Sequence, residues 1–147
     1  MRFTVVDGAG IIFDFAKTEF GPNEGFEKED DYGGFMLQVY PQGSADFTGE
    51  MEGTVLNNMR SVFYNEGSME FRGNAHLHDV GTNVFRDNLG TLIFGGDLTI
   101  ENVIYKGIHN DGGSVRIAGD SLFSNIGFSF DGHSGGAFAN VNGGTSM

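Results

Sequence analysis

NEGSMEFRGN, residues 65–74, is a short alternating segment held between turn formers, and it returns as NLGTLIFGGD at 88–97 and as DGGSVRIAGD at 111–120. Each copy runs Asn or Asp, one residue, Gly, a hydroxyl residue, an apolar alternation, then Gly and a short polar side chain. Gly67, Gly90, Gly113 and Gly136 follow one another at intervals of 23. Further along the unit, Leu77, Ile100 and Phe123 align, then Asp79, Asn102 and Asn125, then Val80, Val103 and Ile126. An additional copy opens at Gly43, offset by 24 from Gly67. Self-similarity at a fixed period marks a repeat architecture.

Within each copy the apolar residues alternate, as Met69 and Phe71 do against Glu70 and Arg72. Period two means strand. No helical periodicity runs for a useful length through residues 40–147. Two or three short strands per unit, separated by Gly/Asn/Asp turns, fit one rung of a coil that returns to its start. Successive rungs then pair in parallel and like side chains meet vertically, roughly 4.8 Å apart. The expected fold is all-β: a parallel β-helix of about four to five coils, with apolar ladders inside and polar ladders at the turns. Gly67, Gly90, Gly113 and Gly136 are expected to form one ladder, and Asp79, Asn102 and Asn125 another. In the second, the amides bond one another and the bending backbone.

Three tags refine this reading. FRDN (85–88), FSN (123–125) and GGAF (135–138) resemble the FxxN and GGA[ILV] motifs of polymorphic outer-membrane-protein repeats on autotransporter passengers. FSN is one residue shorter than its motif, and GGAF carries Phe at the aliphatic position. The units over about residues 43–140 are similar to those of right-handed parallel β-helix proteins of the pectin-lyase-like superfamily. The resemblance implies right-handed winding, in keeping with the general hand of parallel crossovers. It implies several functions at once, because this solenoid carries adhesins, polysaccharide lyases and hydrolases, and phage tailspikes.

Residues 1–42 are less regular. VVDGAG, IIFDF and GGFMLQV read as strands and FGPNEGFEKEDDYGG as an acidic loop, so this segment is expected to be an N-terminal cap with one irregular coil. Residues 43–147 are then the repeats. The last of them, GGAFANVNGGTSM, opens a unit without its closing half, as expected of a segment of a longer protein.

Composition narrows the function. Glycine makes up 25 of 147 residues, well over twice its usual share of about 7%, as many tight turns require. A net charge of −12 argues against nucleic acid and anionic membrane surfaces, which need a basic patch. No apolar run approaches the roughly 18 residues of a membrane span, so no membrane insertion is expected. Zero Cys excludes disulfides and thiolate metal sites. The start, MRFTVVDGAGIIFDF, has no signal-peptide pattern; an extracellular or cell-surface location is expected through a longer precursor.

Candidate sites are few. Asp97 and Asp120 stack one layer apart above Asn74, and paired carboxylates can bridge a Ca²⁺ or work as acid and base in a glycosidase. With Glu70 they are the catalytic candidates. As a plain alternative, Asp after Gly is good turn chemistry, and no cofactor is expected beyond a weak Ca²⁺ site. GHSGG (132–136) fits the nucleophile-elbow pattern, but no His follows Ser134, so it reads as a turn. His76 and His78 share one strand face at acceptable zinc spacing, while Thr99 and Glu101 in the unit above supply no third ligand at repeat spacing. His78 and Glu101 are therefore expected to form a polar pair. Ice binding would require a flat Thr ladder, and Thr91, Thr99 and Thr145 are not expected to make one. The expected function is a non-enzymatic structural or adhesive module with a glycan or protein partner and end-to-end self-association. The alternative is a carbohydrate-active enzyme or its remnant.

Overall fold

The computed structural model describes residues 3–20, 35–54, 61–81, 83–127 and 136–147. Among the described residues there are seventeen strands and no helix. The first coil comprises β1 (Phe3–Val5), β2 (Gly10–Phe13) and β3 (Lys17–Phe20). The second comprises β4 (Phe35–Val39), β5 (Ser44–Phe47) and β6 (Glu50–Gly53). The third holds β7 (Ser61–Asn65), β8 (Ser68–Phe71) and β9 (Ala75–Val80), and the fourth β10 (Phe85–Asn88), β11 (Thr91–Phe94) and β12 (Leu98–Val103). The fifth holds β13 (Lys106–Asp111), β14 (Ser114–Ile117) and β15 (Ser121–Ile126), and β16 (Gly136–Val141) with β17 (Thr145–Ser146) begins a sixth. Each strand pairs in parallel with its counterpart one coil away. The result is sheet A (β1-β4-β7-β10-β13-β16), sheet B (β2-β5-β8-β11-β14-β17) and sheet C (β3-β6-β9-β12-β15). The chain is a parallel β-helix.

Sheet B keeps an unbroken register, so that Phe13, Phe47, Phe71, Phe94 and Ile117 form one inward column. The four rings stack nearly flat, with centroids 4.5, 4.8 and 5.0 Å apart. Phe63 and Phe85 make a second stack in sheet A at 4.8 Å. It meets the first edge-on: Phe63 against Phe71 at 73° and Phe85 against Phe94 at 89°. Vertical offset stacking and lateral edge-to-face contact both suit the ring quadrupole, at about 0.5–1.5 kcal/mol per pair beyond burial. Coil spacing thus sets ring spacing, and the rings tie sheet A to sheet B.

Sheet A breaks the 23-residue register, and this moves two of the expected positions. In β10 two residues lie between Phe85 and Asn88, whereas one lies between Phe63 and Asn65 and one between Ile108 and Asn110; a bulge absorbs the difference. Asn110 therefore stands above Asn88, and Asp111 does not. The turn after β13 restores the register with an extra residue, Gly112, in the left-handed region at φ 77°. Further on, β16 pairs Phe138 with Ile108 and Asn140 with Asn110, while Thr145 pairs with Ser114. Gly136 consequently opens a sheet A strand beside Lys106 and is not the fourth member of the glycine ladder. That position belongs to Gly144, which lies against Asn110. The physical cause is the connection between β15 and β16, longer than that between β12 and β13 by seven residues (nine against two), with one more residue in the turn before β17, which together shift the last unit from its expected place (144 against 136).

The shift reveals a ladder that the repeat pattern hides. Asn65 Nδ2 donates to Asn88 Oδ1 at 2.8 Å, Asn88 Nδ2 to Asn110 Oδ1 at 2.7 Å, and Asn110 Nδ2 to Asn140 Oδ1 at 2.8 Å. The same Nδ2 groups reach the carbonyls of Thr91, Ser114 and Thr145 in the coil above. Asn65, Asn88 and Asn110 are fully buried at the corner between sheets A and B. A corner there leaves carbonyls pointing inward, and buried acceptors need donors.

FSN belongs to a different ladder from FRDN. Asp79, Asn102 and Asn125 lie in sheet C with φ of 53°, 53° and 52°. Asn102 donates to Asp79 at 3.0 Å and Asn125 to Asn102 at 2.9 Å, all three exposed. Asn and Asp tolerate the left-handed region better than other residues with a Cβ. Asn102→Ala is therefore expected to destabilise mainly through its backbone angle, not through unsatisfied buried groups. Asn102→Ala should be about 1 kcal/mol less stable than Asn102→Gly; equal midpoints in urea for the two variants would contradict this.

In the N-terminal segment, residues 3–20 supply the first strand of every sheet, and KTEF is a strand the sequence pattern did not suggest. The division drawn at residue 42 falls in the turn between β4 and β5, inside the second coil. The acidic stretch at 21–34 lies outside the described residues. In sequence it lies between β3 and β4.

Candidate functional site

Sheet C presents the most chemically varied outer face. Alternation along β9 points Leu77 inward and His76 and His78 outward, and parallel pairing sets Glu52 of β6 beside His76. One nitrogen of each imidazole and one oxygen of Glu52 lie within 4.8 Å of one another. His78 Nε2 is 3.7 Å from Glu52 Oε1. The two rings stack at 4.6 Å. A groove of about 320 Å³ runs along this face, lined in part by Lys17, Glu52, His76, Asp97, Thr99 and Glu101.

Each member of the cluster has a carboxylate or ammonium partner. His76 Nε2 donates to Glu101 Oε2 at 2.8 Å, and His78 Nδ1 donates to Asp79 Oδ2 at 2.8 Å. Glu101 thus pairs diagonally with His76, although it stands in register with His78. The expected His78–Glu101 pair is replaced because Asp79, bent outward by its left-handed backbone, takes His78. Lys17 Nζ holds Glu52 Oε2 at 2.6 Å. This bond keeps the Glu52 carboxyl below the usual carboxylate range, and the His78 and Asn102 hydrogen bonds do the same for Asp79. Both groups therefore stay ionised to lower pH than free carboxylates.

Of the catalytic candidates, Asp97 lines this groove and Asp120 stands one coil above it, while Glu70 lies apart on sheet B. Asp97 Oδ1 accepts the backbone N–H of Asp120 at 2.9 Å, and Asn74 Oδ1 accepts that of Asp97 at 2.9 Å. These side chains brace the corner between sheets B and C, each holding the backbone of the coil above. Glu70 is on the outer face of sheet B, between Asp46 and Ile93 in register and 3.2 Å from Arg72. Arg72 grips Asp46 with both Nε and Nη2. Arg116 follows Ile93 in the same column. The GHSGG stretch, including Ser134, lies outside the described residues apart from Gly136.

Next to that column Ser44, Ser68, Thr91, Ser114 and Thr145 stand in register, a five-high run of hydroxyls. Thr91 and Thr145 therefore do share a column, with Ser114 between them, while Thr99 is on sheet C. The sequence reading missed Glu52 as a partner for the histidines because it looked only to the unit above. The signal was present as the 24-residue offset that already related Gly43 to Gly67.

No protein-family model matches the chain, and no curated protein or solved structure shows significant similarity to it.

Proposed function

We propose that the chain is a non-enzymatic structural and adhesive β-helix module, part of a larger surface or secreted protein, with sheet B as its adhesive face. The use made of the acidic side chains carries this reading. Asp97 spends an oxygen on the Asp120 backbone, and Glu70 and Asp46 are bound to Arg72. Acid–base catalysis needs carboxyl groups free to face a substrate together, and these are committed to the scaffold. The hydroxyl run from Ser44 to Thr145 supports an adhesive face, since donors and acceptors repeated along the axis can follow an extended glycan. The likeness of FRDN and GGAF to passenger-repeat motifs supports the surface location.

The test is a glycan array combined with assays for reducing ends and for unsaturated lyase products. Binding without turnover is the expected result, lost when Thr91 and Ser114 are both replaced by bulky Gln. Asp97→Asn should fold normally, because its amide oxygen still accepts the Asp120 N–H. Robust turnover abolished by Asp120→Asn would replace this reading with that of a carbohydrate-active enzyme.

A further inference from the structure

We propose that Glu52, His76 and His78 form a binding site for a divalent transition-metal ion of the zinc class. The site is independent of the adhesive face on sheet B. Three observations converge on the outer face of sheet C. The donor set is two imidazole nitrogens and a carboxylate oxygen within 4.8 Å of one another, a separation that side-chain rotation closes around a single ion. The backbone fixes all three attachment points: His76 and His78 by their i, i+2 spacing on β9, and Glu52 by its register with His76 across the parallel ladder.

The hydrogen-bond partners of the two rings are the second observation. Carboxylates at this face accept only, so His76 must carry its proton on Nε2, toward Glu101, and His78 on Nδ1, toward Asp79. In the neutral form this leaves one lone pair on each ring, on Nδ1 of His76 and on Nε2 of His78. A carboxylate behind each ligating imidazole is the usual orienting arrangement around a bound metal, fixing ring and tautomer and raising basicity. Asp79 is itself oriented by Asn102.

The third is charge and access. Lys17 takes Glu52 Oε2, leaving Oε1 as the oxygen near His78. Side-chain exposures of 43% for His76, 27% for His78 and 37% for Glu52 let an ion enter from solvent without any movement of the coil. Three protein ligands leave a fourth position for water or for a group from a partner. Nitrogen donors select borderline ions such as Zn²⁺, Cu²⁺ and Ni²⁺ over Ca²⁺ and Mg²⁺.

Calorimetric titration of the chelator-treated full chain with ZnCl₂ at pH 7.5 tests this. One equivalent should bind with micromolar affinity and CaCl₂ should give no comparable heat. His76→Gln, His78→Gln and Glu52→Gln should each weaken Zn²⁺ binding at least tenfold, and the double histidine variant should abolish it. If a variant fails to fold, proton NMR of the wild type decides: Co²⁺ should shift the ring signals of two of the four histidines and spare the others. Zn²⁺ binding unchanged in His78→Gln, equal binding of Ca²⁺, no Zn²⁺ binding at all, or Co²⁺ shifts spread over all four rings would each overturn the proposal.

Discussion

Gly90→Ala should lose about 3 kcal/mol or more of stability, or fail to accumulate as folded protein. A Cβ at this position would stand 2.0 Å from the Gly67 carbonyl oxygen and 2.8 Å from two backbone carbons of the coil below. No rotamer can relieve such a contact, because the obstacle is main chain. The coils would have to separate, and Thr91 N–H donates to that same Gly67 oxygen at 2.8 Å. In thermal unfolding, a 147-residue chain converts this loss to a fall of roughly 6–12 °C. Gly136→Ala is the control: nothing lies within 4 Å of its Cβ, so its midpoint should stay within about 0.5 kcal/mol of wild type. Comparable losses in the two variants would restore the equal-interval ladder and remove the shifted register.

Asn88→Ala should be of similar size for a different reason. Its side chain is wholly buried and serves the coils on both sides at once. Truncation strands an Nδ2 hydrogen of Asn65, the Oδ1 of Asn110 and the carbonyl of Ser114. A buried polar group left without its partner costs about 1–3 kcal/mol, so three of them set the expected loss near 3–5 kcal/mol. Circular dichroism melts of Asn88→Ala and Asn102→Ala side by side make the comparison: the buried ladder should cost severalfold more than the exposed one. A loss below about 1 kcal/mol in Asn88→Ala would mean water replaces the amide at the corner.

The contrast between these ladders shows where the sequence was readable. Sheet B carries the 23-residue period without error from Phe71 to Ile117, since there its strands and both flanking turns keep their length; glycine spacing alone located it. Sheet A was not readable that way. The extra residue in FRDN and the compensating Gly112 cancel over one unit, so a fixed 23-residue comb passes over them and sets Asp111 where Asn110 belongs. An apolar residue shortly before Asn, then Gly, as in FYNEG, FRDNLG and IHNDGG, would have found the buried amides. The first coil was obscured because KTEF has no apolar alternation to announce it. At the histidines, the residue types and spacing were plain, but the third ligand came from a coil whose offset is 24. Asp97 and Asp120 were correctly stacked by the repeat, yet which way a turn carboxylate aims depends on the backbone N–H above it, and a one-dimensional pattern does not carry that.

Chain length varies almost wholly at the junction from sheet C to sheet A, which ranges from two residues at 104–105 to the fourteen of 21–34. The other two corners are held to size by stacked glycines, asparagines and aspartates. The solenoid thus separates its bookkeeping from its decoration. Two sides keep time while the third is free to grow, so new surface can be acquired there without disturbing the alignment of any column.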